Sequence, residues 1–188
     1  MQSKSDEQFI NDYFKGNKKS LEILIKKYLK PIYSFAYWYV GNVEDAEDVT
    51  QEVFVKIWRN LKKFNQKKRL KTWIFTIAKN TAIDFLKKSR KSIPFSAFEN
   101  NEGENALAET LADPAPLPDR ILERADIAKR LNSAIQQMSL KYQIVLFLRY
   151  NDQFNFREIA EALKEPLHTI KSRHRRAIIM LKTLLAKP

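Results

Sequence analysis

Apolar positions recur at helical spacing in four stretches of this chain. The first, SLEILIKKYLKPIYSFAYWYVG (20–41), combines helix formers with aromatics, and Pro31 allows a kink or a restart. DAEDVTQEVFVKIWRNLKKF (45–64) places Ala46, Val49, Val53, Ile57 and Leu61 on one stripe. LKTWIFTIAKNTAIDFLKK (70–88) does the same with Leu70, Trp73, Ile74, Ile77, Ala78, Thr81 and Phe85. Three helices of this length with short connections predict a compact bundle. Trp58, Trp73 and Phe85 read as core, as large apolar residues at helical spacing usually do.

The fourth stretch, NFREIAEALKEPLHTIKSRHRRAIIMLKTLL (155–185), reads as a helix-turn-helix. Asn155 caps the first helix and Glu158 reaches back to it. Phe156, Ile159, Ala160 and Leu163 follow at helical spacing, and Glu165-Pro166 break the helix. The second helix gathers Ile170, Ala177, Ile178, Leu181 and Leu185 on one face and His168, Thr169, Lys171, Ser172, Arg175 and Arg176 on the other. A short helix, a tight break and a basic helix suit major-groove reading. The expected fold is all-α, with two small helical domains and a flexible joint between them.

Charge defines that joint. Residues 1–92 carry net +10, residues 93–120 net −5 and residues 121–188 net +7. The middle piece also holds Pro94, Pro114, Pro116 and Pro118 without a sustained apolar period, so it reads as an acidic linker between domains at 1–92 and 121–188. The overall charge of +12 favours polyanions. With no cysteine, disulfides, zinc ribbons and thiol nucleophiles are excluded, and a cytoplasmic setting follows naturally. The two histidines make no metal site, no cofactor motif is present, and no apolar run approaches the ~20 residues of a membrane span.

Inside the first domain the charges are segregated. Glu44, Asp45, Glu47, Asp48 and Glu52 lie within nine residues that contain no base. From Lys56 to Lys91, thirteen Lys and Arg face the single acid Asp84. A helix N-terminus explains two or three of the acids through its dipole, but scarcely five. Adjacent acidic and basic patches suggest two partners of opposite sign, a basic protein surface and a nucleic acid. Asn80 reads either as a solvated helix position or as a donor to a base edge.

DAEDVTQEVFVKIWRNL followed by TWIFTIAKNTAIDFLKK resembles region 2 of the sigma-70 family of bacterial RNA polymerase initiation factors. MSLKYQIVLFLRYNDQFNFREIAEALKEPLHTIKSRHRRAIIML resembles its region 4, and the absence of further regions suggests the small extracytoplasmic-function (ECF) type. The resemblance implies a non-enzymatic factor that directs polymerase to promoters. It puts binding to the clamp coiled coil of the largest subunit on Asp45, Glu47, Asp48, Gln51, Glu52 and Trp58. It puts −10 recognition and melting on Phe64, Asn65, Lys67, Lys68, Arg69, Lys79 and Asn80. It puts −35 recognition on His168, Thr169, Lys171, Ser172, Arg173, Arg175 and Arg176, with Arg149 on phosphate. The flap of the second-largest subunit, promoter DNA and an anti-sigma factor are the further partners it implies.

Three positions depart from the family pattern: Lys164 and His168 stand where glycine is common, and His174 where an apolar residue packs inward. A linker of 28 residues at ~3.3–3.6 Å each reaches roughly 90–100 Å. Promoter elements ~17 base pairs apart are ~58 Å apart at 3.4 Å per step, well within that reach. A free-standing helix-turn-helix regulator would need a dimerisation helix, which is not visible, and would leave the acidic helix without a role. A nucleic-acid enzyme would need a P-loop or a carboxylate–histidine constellation, which is also not visible.

Overall fold

The computed structural model describes residues 4–65, 68–89 and 118–186, with backbone alone for 118–126. Helices account for the regular structure among the described residues, and no strand occurs there. Helix α1 (Asp6–Phe14) was not foreseen. Its capping box explains it: the Ser5 hydroxyl accepts from the Gln8 N–H, and the Gln8 side chain accepts from the Ser5 N–H at 2.8 Å. Asp6 then ties α1 to α2 (Lys18–Val40) through Lys27 at 2.5 Å and the Tyr28 hydroxyl. Helix α2 runs through Pro31 without restarting and ends at Gly41, whose φ of 83° suits a residue without Cβ.

Helix α3 (Val43–Asn60) buries the stripe Ala46, Val49, Val53 and Ile57, and Leu61 continues it into a short 3₁₀ turn. Trp58 departs from expectation. It is 60% exposed, one of the most exposed large apolar residues described, because it lies on the side of α3 opposite that stripe. Trp73 and Phe85 are partly buried against the core, as expected.

Helix α4 (Leu70–Ser89) buries more than one stripe. Leu70, Ile74, Ala78 and Thr81 are covered as predicted, but so are Thr72, Phe75 and Ala82. The reason is its central position: α2 and α3 lie against it on one side and α7 on another. A helix covered from two sides loses its single-stripe signature.

The second unit comprises α5 (Pro118–Gln136), α6 (Leu140–Leu146), a π-helical turn (Phe147–Asn151), α7 (Phe156–Leu163) and α8 (Leu167–Leu185). Residues 118–120, placed in the linker by charge, already form the first turn of α5; the linker residues 93–117 lie outside the described residues. The break between α7 and α8 follows the expected chemistry, with the Asn155–Glu158 capping box at one end. At the other end Lys164 is left-handed, at φ 50° and ψ 49°, so lysine occupies the glycine conformation. Met138, Leu146 and Ala177 pin α8 to α6, with Ile178 and Leu181 packed around them.

The two units share one hydrophobic core. Phe35 of α2, Phe75 of α4 and Phe154 of the second unit are all fully buried. Their rings are in series, Phe35 to Phe75 at 5.1 Å and Phe75 to Phe154 at 5.0 Å, both edge-on. Phe147 meets Phe35 and Trp38, each at 6.3 Å.

Candidate nucleic-acid and protein interfaces

The outer side of α3 is acidic at its start and apolar toward its end. Glu44, Asp48, Gln51, Val55 and Trp58 follow one another at spacings of four and three residues and are all exposed. Val55, 44% exposed, does not stand out in the sequence because it lies midway between the core positions Val53 and Ile57. The acids do not all serve the same end. Asp45 holds the helix start: its N–H donates to the Asn42 side chain at 2.9 Å, and its carboxylate accepts from that amide at 2.7 Å. Glu52 pairs with Lys56 at 2.8 Å. Glu47 and Asp48 remain exposed on the surface with Gln51.

The region assigned to −10 DNA divides likewise. Phe64 is buried and packs on Trp73 at 5.1 Å, so it anchors the loop. Asn65, Lys68, Arg69 and Asn80 are exposed, and Lys67 lies outside the described residues. Three basic groups here meet the second unit. Lys68 pairs with Glu161 at 3.1 Å, Arg69 pairs with Glu158, and Lys79 donates to the Leu163 carbonyl. A fourth, Lys71, was not singled out by pattern, since it sits beside core positions. It donates to the Asp152 carbonyl and lies 4.6 Å over the Phe154 ring. Burial pushes the pKa of Lys71 and of Lys79 below the usual lysine value, and nearby carboxylates pull it back.

Arg69, Lys71, Asn151, Asp152, Phe154 and Glu158 help line a cavity of about 400 Å³ at this seam. Asp152 is the unusual member. Its Oδ2 is buried without a hydrogen-bond partner, and burial lifts its pKa from 3.8 to about 6 against the opposing pull of Lys71. The π-helical turn creates this geometry: it brings the Asp152 N–H to the Phe147 carbonyl and the Phe154 N–H to the Leu148 carbonyl at 2.9 Å.

Helix α8 presents a different picture. His168, Lys171, Ser172, Arg175 and Arg176 are exposed, and Thr169 is partly so. Arg173 is held by Glu165 at 2.7 Å, which braces the turn. Arg149 donates to the Phe154 carbonyl at 2.9 Å and stacks over Phe156 at 5.1 Å, an internal support for the loop. His174 lies 3.0 Å from the Tyr150 hydroxyl and 5.0 Å from the Phe156 ring, filling the inward position as an aromatic. Burial, then Arg149, lowers its pKa. Among the described residues, no group of three or more His, Cys, Asp and Glu is placed to hold a metal ion. No described helix is long and apolar enough to cross a membrane.

Two family models match this chain: sigma-70 region 2 over residues 24–92 and sigma-70, region 4, over residues 128–181. The ECF RNA polymerase sigma factor SigW of Bacillus subtilis is 29% identical over 160 residues, 85% of each chain. The RNA polymerase sigma-H factor of Pseudomonas aeruginosa is 29% identical over 177 residues, covering 92% of this chain and 89% of the relative. Among solved structures, the sigma factor RpoE in complex with the anti-sigma factor NepR, from Bartonella quintana, aligns with a TM-score of 0.67 at 22% identity, over 90% of this chain and 98% of that one. CnrH in complex with the cytosolic domain of CnrY aligns at 0.65 and 20% identity, over 97% of both. Two matched regions in order, relatives that run the length of the chain and a shared all-helical fold establish that this protein belongs to the sigma-70 family of RNA polymerase initiation factors, in its ECF group.

Proposed function

We propose that this factor divides promoter recognition among the three surfaces above and performs no chemistry of its own. The outer side of α3 docks on core polymerase through Glu47, Asp48, Gln51 and Trp58, with Val55 completing the apolar end. Lys68, Arg69, Lys79 and Asn80 face the −10 element, while Lys171, Ser172, Arg175 and Arg176 face the −35 element. Phe64 and Asp45 support these surfaces from within. Residues 1–92 and 121–188, the latter extended back to Pro118 by the first turn of α5, are the two working domains, and the acidic segment between them connects them in the cytoplasm. An anti-sigma partner is in keeping with the similar sigma factor RpoE, which is bound to the anti-sigma factor NepR.

The observation that carries this reading is the exposure of Trp58 at 60% on the acidic side of α3. A tryptophan left in water beside unpaired carboxylates suits a partner surface that is basic and aliphatic together, where such residues become hot spots. Trp58→Ala is expected to weaken binding to core polymerase by ten-fold or more in a competition assay, with the circular dichroism spectrum unchanged. Unaltered affinity overturns the docking assignment.

A further inference from the structure

The π-helical turn carries one group that the assignments above leave without a part. Tyr150, the fourth residue of that turn, is 61% exposed, yet its ring leans on α8. The Tyr150 hydroxyl lies 3.0 Å from His174 Nε2, and the two rings stand 5.8 Å apart at 34°. His174 in turn meets Phe156 edge-on at 5.0 Å, and the Arg149 guanidinium lies 5.1 Å over the Phe156 ring. Three rings and an arginine thus form one cluster against the flank of α8. At 3.6 residues per turn, His174 stands about 60° from Lys171 and about 100° from Arg175 around the helix axis. It therefore borders the exposed side of α8 instead of occupying its middle.

We infer that Tyr150, positioned by His174, binds a DNA phosphate beside the exposed side of α8, in the place the resemblance gives to Arg149. This inference deepens the proposed assignment of α8 to the −35 element and rests on it. Arg149 is already committed, to the Phe154 carbonyl and the Phe156 ring. Tyr150, the next residue, is the exposed polar group of this turn. A helix in the major groove meets base edges along its middle and the phosphate walls at its flanks. Phosphate offers acceptors only, so the Tyr150 proton goes to the phosphate oxygen. His174 must then donate from Nε2 to the phenol oxygen. Burial, then Arg149, keeps the imidazole neutral, and the neutral ring with its hydrogen on Nε2 meets that requirement. An apolar residue at 174, the usual choice of the family, could not do so. The ring contacts also leave Tyr150 little side-chain freedom to lose on binding.

The test uses holoenzyme, assembled from core polymerase and the full chain, on a promoter duplex that the native holoenzyme selects from a random −35 pool. Tyr150→Phe should weaken binding about three- to ten-fold, alike for every −35 sequence. A phenol releases no counterion, so the salt dependence should stay native, whereas loss of one cationic phosphate contact lowers its slope by about 0.9. Each −35 phosphate is then replaced in turn by neutral methylphosphonate. At one position the replacement should cost the native holoenzyme the same factor and cost the Tyr150→Phe holoenzyme nothing. His174→Leu should reproduce the loss and add nothing in the Tyr150→Phe background. Tyr150→Phe binding as tightly as native, or penalised at every phosphate where native is penalised, overturns the inference. So does a loss that falls on affinity for core polymerase, which would make the cluster a protein contact. Lys171→Ala and Arg176→Ala isolate the reading beneath. If they weaken −35 binding and Tyr150→Phe does not, the inference alone fails; if none of the three does, the −35 assignment of α8 fails with it.

Discussion

The two surfaces proposed to face DNA differ in what they touch when no DNA is present. The side of α8 proposed for the −35 element points its Lys171, Arg175 and Arg176 into solvent, and the hydrophobic side of the same helix does the structural work. The surface proposed for the −10 element has Lys68, Arg69 and Lys79 already engaged by the neighbouring domain, and the aromatic core runs beneath them. The contrast shows how one charge type can serve two ends. Exposed arginines cost little and contribute little to stability, so they are free for reading. Basic groups placed over a shared core become part of the fold, and their use for reading must compete with it.

Phe154→Ala should test this contrast most severely. Phe154 is 1% exposed and lies between Phe75 and the Lys71 ammonium. Removing a buried phenylalanine typically costs about 3–5 kcal/mol. The expected result is a large loss of thermal stability with separation of the domains. Arg176→Ala on the open surface should change stability by no more than about 0.5 kcal/mol. Equal melting temperatures for the two variants would erase the distinction between the surfaces.

The seam should also respond to pH where the open surface does not. Burial raises the Asp152 pKa from 3.8 to about 6. A carboxyl raised on folding contributes stability that is fully present below its unfolded pKa and lost as pH rises through the folded value, here between about pH 4 and 6. That interval corresponds to on the order of 3 kcal/mol. Asp152→Asn mimics the protonated form, so it should match the native chain near pH 4 and exceed it above pH 6. His174, lowered by burial, works in the opposite direction, so the quantity to measure is the difference between variant and native chain across pH. A difference that does not grow between pH 4 and 6 would show that the buried charge carries no cost.

The seam was invisible in the sequence, although several of its members, Lys68, Arg69, Lys79 and Glu158, stand out there. Glu158 was read correctly as a cap, yet its second role depends on an arginine 89 residues earlier. The cover over Phe75 could not be foreseen for the same reason, since periodicity reports which face is apolar and not how many neighbours cover it. The π-helical turn that presents Asp152 and Phe154 has no apolar period of its own. By contrast, the core stripe of α3 and the capping box of α7 were legible because each depends on residues within a few positions of one another. Trp58 shows the limit of that logic: a large apolar residue on the outer side of an amphipathic helix was read as core because size outweighed register.

On the open surface, the sharper question is which side chains read and which merely attract. Lys171, Ser172 and Arg175 lie in the first turns of α8, while Arg176 stands one step round toward the backbone. Alanine at Lys171 or Arg175 should relax −35 preference at particular base pairs, worth about 1–3 kcal/mol of discrimination. Arg176→Ala should weaken all −35 sequences alike and flatten the salt dependence. Selection of −35 variants by holoenzyme at two salt concentrations measures both. Uniform losses from all three variants would move specificity to other residues or to DNA shape.

The smallest effect joins the two surfaces, because the turn between α7 and α8 carries both. Lys164 adopts the left-handed conformation, which costs a residue with Cβ on the order of 1–2 kcal/mol. Glycine relieves that strain but gives back about 0.4–1 kcal/mol through the greater freedom of its unfolded chain. Lys164→Gly should therefore raise stability by roughly 0.5–1 kcal/mol, or about 2–4 °C in Tm per kcal/mol for a chain of this size. The neighbouring Leu163 carbonyl accepts from Lys79, so the strain has two candidate origins. If the helix-turn-helix alone imposes it, the gain from glycine persists when Glu158→Gln and Glu161→Gln remove the carboxylates of the seam. If the seam pulls the turn into place, the gain disappears in that background. Thermal denaturation of the four combinations separates these outcomes, and a coupling larger than about 0.5 kcal/mol would assign the turn to the seam.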